Sequence, residues 1–239
     1  MMTTNNDYLD EKYRKLWDSI RNELIPLSVN QYILMDVFEA FLLCKNLTKE
    51  YDDSHDVEHH VKVFVNSIEI YKKMDNCSEE VLPMIIYSSL LHDTIDNKYQ
   101  ENIENKIKIL DNFLKEKLGK KWKNIKWIID NMSYSKETKN GYPINGNPIV
   151  QLSRDIVSDA DKLEAIGETG ILRCKQFSIA KNPNATVSEI NKLVLQHCFD
   201  KLLKIKDHFI RTNPGKIMAE KLHLIIVDYV NKAMSNENF

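Results

Sequence analysis

His92 and Asp93 stand side by side at the end of an apolar run, Val81 to Leu91, and Asp96 follows three residues later. A neutral imidazole nitrogen and a carboxylate oxygen adjacent in sequence can chelate one divalent cation when a rigid helix holds them. The dipeptide alone is a weak signal, because most His-Asp pairs are surface polar residues. The setting gives it weight: a histidine and two aspartates at the end of a hydrophobic helix are costly to bury unless paired or metallated. Two further polar clusters bracket it, Asp52-Asp53-Ser54-His55-Asp56-Val57-Glu58-His59-His60 upstream and Ser158-Asp159-Ala160-Asp161-Lys162-Leu163-Glu164 downstream. Each lies on or beside a predicted helix, so each can aim a ligand atom inward from a rigid element. His55 and His59, four apart, can share a helical face, whereas His60 points about 100° away from His59.

The elements that must position these groups read as helices. The chain has 239 residues, enough for one large domain, with only six glycines and six prolines. Gly141, Pro143, Gly146 and Pro148 fall close together, while long stretches have neither residue. From Tyr8 to Leu27 the positions Leu9, Tyr13, Leu16, Trp17, Ile20 and Leu24 recur at helical spacing, and Pro26 ends the pattern. Further helices are predicted from about Asn30 to Lys49, from near Ser54 through Tyr71, and after Ser78. Pro83 is expected to delay the regular start of that last one. Glu101 to Leu118 alternates acids and bases around an apolar stripe and reads as a solvated helix closed by Gly119. Trp122 to Met132 is another helix, and Ile149 to Leu172 carries the downstream acidic cluster. Thr186 or Ser188 caps a helix through Phe209, and Pro214-Gly215 introduces the last one. Ser133 to Pro148 is polar, rich in turn formers and predicted to be a mobile loop near the site. Hardly any stretch alternates with period two, so the expected class is all-α.

Charge excludes little but usefully. Lys+Arg 33 against Asp+Glu 35 leaves a net charge of −2, which argues against nucleic acid or an anionic membrane as partner. Cys44, Cys77, Cys174 and Cys198 form no Cys-x-x-Cys pair, the start of the chain is polar, and no apolar run approaches the roughly 20 residues of a membrane span. The expectation is a cytoplasmic protein with reduced thiols.

A histidine, a later His-Asp pair and a distant aspartate in an all-α chain resemble the HD-domain metal-dependent phosphohydrolases. In detail, His55-Asp56-Val57-Glu58-His59-His60-Val61-Lys62-Val63, Leu91-His92-Asp93-Thr94-Ile95-Asp96-Asn97-Lys98 and Asp159 through Arg173 are similar to the bacterial YpgQ/YedJ-like group, described as nucleotide pyrophosphohydrolases. His197 through Leu203, Thr212 and Ala219 through His223 look like that group's closing helices. The resemblance runs from about Ile33 to the C-terminus. It implies an N-terminal helical extension over 1–29 and an HD phosphohydrolase domain over 30–239. The implied fold is an HD-like bundle of about nine to eleven helices without significant sheet.

Carried over residue by residue, the resemblance makes His59, His92, Asp93 and Asp161 the metal ligands. Asp161 is preferred because the family's last ligand directly precedes a basic residue and Leu; Asp159 stays open as the alternative. His55-Asp56 is either a pair that steadies the ligand loop or simply a turn and cap before the third helix. His60 is expected to be structural, and His197, His208 and His223 to be ordinary surface or core residues, although His197 matches a family position near Lys201. The chain departs from the family at Lys62, where Arg is favoured, at Glu164, where Asp is, and at Glu168-Thr169, where an apolar pair is usual. These changes bear on substrate identity more than on metal binding.

Two imidazoles and two carboxylates leave open positions on a six-coordinate ion, as hydrolysis requires. Nitrogen and oxygen ligation without thiolate suits Mn²⁺, the first expectation, or Mg²⁺, Fe²⁺, Ni²⁺ or Co²⁺, better than a structural zinc. Asp96 is the candidate proton carrier. Lys98, with Lys62, Arg173 and Lys201 behind it, is the candidate for phosphate charge. The expected substrate is a nucleotide, split from triphosphate to monophosphate and pyrophosphate. Phosphomonoester or phosphodiester hydrolysis and a non-catalytic nucleotide-sensing module are the alternatives, and a homodimer stays open. No Gly-rich phosphate loop is present, which disfavours a P-loop NTPase.

Overall fold

The computed structural model describes residues 9–51, 56–95 and 102–235, and among them all regular structure is helical, with no strand. The chain is organised around α4 (Val81–Leu91), whose residues Val81 and Met84 to Leu91 are all buried. A helix apolar on every side has to be enclosed. It is surrounded by α2 (Gln31–Leu47), α3 (Val57–Lys72), α6 (Trp122–Asn131) and α8 (Pro148–Glu164). Ile85, Leu90 and Leu91 have no exposure, so truncating any one to Ala should cost about 2–5 kcal/mol. The regular helix begins at Val81, a few residues after Ser78 as expected, but before Pro83 rather than beyond it. Pro83 lies within the first turn, where the N–H it lacks has no intrahelical partner anyway.

Residues 9–29 contribute to the same core. α1 (Glu11–Leu24), capped by the Asp10 carboxylate, buries Trp17, Ile20 and Leu24 against α2 and α3. The Trp17 and Phe38 rings meet edge-on at 4.7 Å, and Phe41 lies 6.0 Å from Trp17. Such pairs add about 0.5–1.5 kcal/mol beyond burial. Pro26 falls in the 3-10 turn that ends α1.

On the other side of α4, α5 (Ile103–Leu118) packs against α6, burying Leu110 and Leu114. Residues 133–148, expected to be a mobile loop, contain a short helix followed by seven residues without regular structure. Ser133 caps α7 (Tyr134–Asn140), and Glu137 within it is only 5% exposed. Its ion pairs, described below, hold the segment in place. α8 ends at Ala165-Ile166, and Gly167, at φ 75°, turns the chain into α9 (Gly167–Lys181). That left-handed angle, with the Leu222 side chain 2.9 Å from where a Cβ would stand, fits only glycine. α10 (Val187–His197), with a full Thr186/Glu189 capping box, runs through a π-type turn at 198–202 into α11 (Leu203–Phe209). α12 (Asn213–Ser235) closes the fold against α8, α9 and α11. No helix among the described residues is long and apolar enough to cross a membrane.

Candidate metal centre

Three helices meet where the ligand candidates lie. α3 starts at Val57, a little later than the expected Ser54, because Asp56 is its cap. The Asp56 carboxylate accepts from the backbone N–H groups of Glu58 at 2.9 Å and His59 at 3.2 Å, which fixes the first turn carrying His59. His92 terminates α4. Its Nδ1 lies 2.8 Å from the Ser89 carbonyl, and the Thr94 hydroxyl donates to the Leu91 carbonyl at 2.9 Å. Carbonyls left unpaired at the helix end thus orient the turn. A carbonyl can only accept, so Nδ1 carries the proton and Nε2 presents a lone pair, the arrangement of a metal-binding histidine. Asp161 comes from the last turns of α8.

The ligand atoms converge. His59 Nε2 is 3.2 Å from His92 Nε2 and 3.4 Å from Asp161 Oδ1. His92 Nε2 is 3.9 Å from Asp161 Oδ1 and 3.7 Å from Asp93 Oδ2. His59, His92 and Asp93 form a group able to hold one ion. Burial pushes the Asp161 carboxyl pKa upward, but His59 and His92 beside it, with Lys162, outweigh that and hold it below the usual carboxylate range. It is therefore ionised at neutral pH. Two imidazoles facing an ionised carboxylate need a positive centre, either a proton on a ring or a bound cation. A proton on His59 Nε2 would bridge only one of these contacts, whereas a divalent cation satisfies the set. Ligands about 2.0–2.2 Å from one ion lie roughly 2.8–3.6 Å apart, close to the separations found, so the residues fit a metal.

Asp159, the alternative ligand, faces elsewhere. Fully buried, it accepts from the backbone N–H of Arg211 at 2.8 Å, and from the N–H and hydroxyl of Thr212, both at 2.7 Å. It ties α8 to the start of α12, and Gly215 leaves room for it, since a Cβ there would stand 2.7 Å from Asp159 Oδ2. His60 is buried with its ring 4.6 Å from that of His92, a packing position behind the ligands. Lys62 is paired with Glu58 at 3.0 Å on the exposed face of α3. Lys201 lies 4.7 Å over the Tyr134 ring, and Arg173 is half-buried on α9. His55, Asp96 and Lys98 lie outside the described residues.

Sequence reasoning missed a second polar constellation on the same helix. Glu137 accepts from Arg154 at 2.8 Å, from Lys162 at 3.1 Å and from Arg211. Arg154 also donates to the Asn131 carbonyl at 2.9 Å and to Asp155 at 3.0 Å, and Lys162 reaches Ser158. Burial opposes ionisation of Glu137, but Lys162, Arg211 and Arg154 prevail and hold its pKa down to about 2. The signal was present as Arg154 and Lys162 inside an apolar helix, but their partner could not be assigned. A groove of about 550 Å³ runs along the seam of α3, α8, α9 and α12, lined by Asn66, Leu163, Glu164, Thr169 and Leu222. It includes none of the ligand candidates.

No protein-family model matches the chain. YpgQ of Bacillus subtilis is 29% identical over 147 residues, which is 61% of this chain and 68% of YpgQ. The crystal structure of YpgQ in complex with ADP aligns with a TM-score of 0.58 at 24% identity, covering 82% of this chain and 96% of that one. An HD-superfamily hydrolase from Bacillus thuringiensis gives a TM-score of 0.59 at 23% identity, over 83% of this chain and 95% of its own. The chain has the HD-domain fold and is similar to YpgQ. The Lin1889 protein of Listeria innocua shares this HD-domain architecture, with a TM-score of 0.56 at 28% identity over 84% of this chain and 96% of its own. In this HD-domain chain, the His-Asp pair closes the central helix and the two remaining ligand candidates come from the helices packed on either side of it.

Proposed function

We propose that this chain is a metal-dependent phosphohydrolase acting on a nucleotide, and that it splits a nucleoside triphosphate into the monophosphate and pyrophosphate. The observation that supports the reading is that His59, His92 and Asp93 lie within reach of one ion, with Asp161 of a third helix 3.4 Å from His59 and 3.9 Å from His92. The likeness to YpgQ, whose structure holds ADP, supports a nucleotide as ligand.

A divalent ion bound there, Mn²⁺ first among the candidates, would lower the pKa of a bound water and polarise a phosphoryl oxygen. The protein's own part is positional. The Ser89 carbonyl keeps the His92 lone pair aimed inward, and the Asp56 cap fixes His59. The ionised Asp161 offers its carboxylate without first losing a proton. In the reaction proposed, the oxygen of water bonds to the α-phosphorus and the bond from that phosphorus to the bridging oxygen breaks. Pyrophosphate then leaves. Asp96 takes the proton of the attacking water. Lys98, Lys62, Arg173 and Lys201 are the proposed cations for phosphate charge.

The test is release of phosphate and pyrophosphate by the metal-loaded protein over the common nucleotides. Pyrophosphate together with nucleoside monophosphate is the expected product pair. Release of inorganic phosphate from a nucleoside monophosphate would make the protein a phosphomonoesterase. Nucleotide binding without release would make it a sensor. Asp96→Asn should retain the ion and lose about 10²- to 10⁴-fold in turnover; unchanged turnover would move the proton chemistry off Asp96.

A further inference from the structure

The first turns of α5, read from the sequence as solvated, bring a cation to the turn that carries Asp93. Lys106 is half-buried, with its Nζ 3.5 Å from the Tyr51 hydroxyl and 4.5 Å from the centroid of the Tyr51 ring. Tyr51 is 8% exposed, and its hydroxyl donates to the Thr94 carbonyl at 3.0 Å. Thr94 directly follows Asp93 and has no exposure. Lys106 thus sits two hydrogen-bond lengths from the backbone of the metal-ligand turn, on a platform fixed to that turn.

Among the described residues no carboxylate lies within ion-pair reach of Lys106, whose contacts are the Tyr51 hydroxyl and ring. Two other lysines of these helices are matched by carboxylates. Lys62 pairs with Glu58, and Lys117 on the same α5 pairs with Asp36 at 2.8 Å and Glu39 at 2.6 Å. A hydroxyl lone pair and a π face orient an ammonium group without cancelling its charge. A partly desolvated cation left in that state favours an anion supplied from outside the protein.

We propose that Lys106, seated on Tyr51, is a phosphate-binding subsite beside the metal centre, and that it takes the phosphates of a polyphosphate chain beyond the one held at the ion. This rests on the reading of the chain as a nucleotide phosphohydrolase and names what selects a triphosphate over a monophosphate. Lys106 is offset from the ligands by the Thr94 turn, so it binds charge without competing for coordination. Tyr51 is a positioning residue that sets where the ammonium stands.

The experiment measures calorimetric binding of inorganic tripolyphosphate and of inorganic phosphate to the Mn²⁺-loaded full chain, for the parent, Lys106→Gln and Lys106→Arg. Loss of one charge-assisted contact should weaken tripolyphosphate by about 10–150-fold in Lys106→Gln. Phosphate affinity, metal content and melting temperature should stay near the parent's, and Lys106→Arg should restore most of the loss. Equal weakening of both anions, or of neither, overturns the subsite. So does failure of the parent to prefer tripolyphosphate. Nucleotide turnover in the same proteins separates the two readings. If the parent releases pyrophosphate and Lys106→Gln binds like the parent, the subsite alone falls. If the parent hydrolyses nothing while the selective binding loss persists, the hydrolase reading falls and the anion subsite stands.

Discussion

α8 carries two clusters of charge that look alike in sequence and differ in what they leave unmet. On one face, Lys162 and Arg154 meet Glu137, while Asp159 meets the Arg211 and Thr212 backbone, so every charge finds its complement inside the protein. On the other face, Asp161 joins His59, His92 and Asp93, and these donors point at one another. The first cluster is complete without a ligand. The second is the candidate metal site. Burial does not separate them, since His59 and His92 are as deeply enclosed as much of the ion network. The internal balance of donors and acceptors does.

The comparison breaks most sharply at His92. Its replacement by Ala should empty the metal site and lower turnover by at least about 10³-fold, equivalent to about 4 kcal/mol, with the helical circular dichroism signal retained. Metal content equal to the parent's would remove His92 from the ligand set. Glu137→Gln should act on the other face. It strands Arg154 and Lys162 as buried cations, so denaturant unfolding should show a loss of about 3–5 kcal/mol. Its metal affinity, measured where the variant is folded, should change little. A tenfold metal defect there would mean that the two faces are one unit.

Acid sharpens the contrast. The Glu137 pKa is held to about 2 against an ordinary 4.5. The stability it confers is therefore complete above about pH 4.5 and lost as pH falls through 2, a change of about 3 kcal/mol. Asp159 has the opposite sign: burial raises its pKa to about 6, so protonation relieves it as pH falls from 6 towards 4. Melting temperature followed from pH 7 to 2 should hold or rise slightly before it drops. The drop should be shallower in Glu137→Gln, and an identical profile would show that Glu137 is not the group responsible. The smallest effect separates neighbours. Asp159→Ala, which strands the Arg211 and Thr212 N–H groups, should cost about 1–3 kcal/mol of stability with metal content unchanged. Asp161→Ala should need far more added metal while the metal-free protein melts as the parent does. Interchange of those two results would reverse the assignment of the faces.

Much of this was legible in the sequence for a physical reason. The helices of the core advertise themselves through apolar spacing, as with Trp17, Ile20 and Leu24 in α1, and Thr186 was readable as one of two candidate caps. The His-Asp pair stood out because it closes an apolar helix. Asp159 and Asp161 could not be told apart by periodicity alone, because positions two apart point about 200° apart and the phase of the buried face decides between them. The helix at 134–140 was hidden for another reason. Its residues are polar and turn-prone, and it is held by Glu137 meeting Arg154, Lys162 and Arg211, partners that follow it in the chain and meet it only through tertiary packing. Lys106 was concealed by its neighbours, since one lysine in an alternating helix gives no sign of which face meets Tyr51.

The spread of the ligand candidates has a consequence for how the protein is made. His59 leaves the ribosome long before Asp161, and at about 5–20 residues per second the interval is roughly 5–20 s. Even after the His-Asp pair has followed, the nascent chain lacks the aspartate from α8 that joins the cluster. Metal capture should therefore be a late event in synthesis, and metal supply should set the stability of the finished protein rather than its early folding.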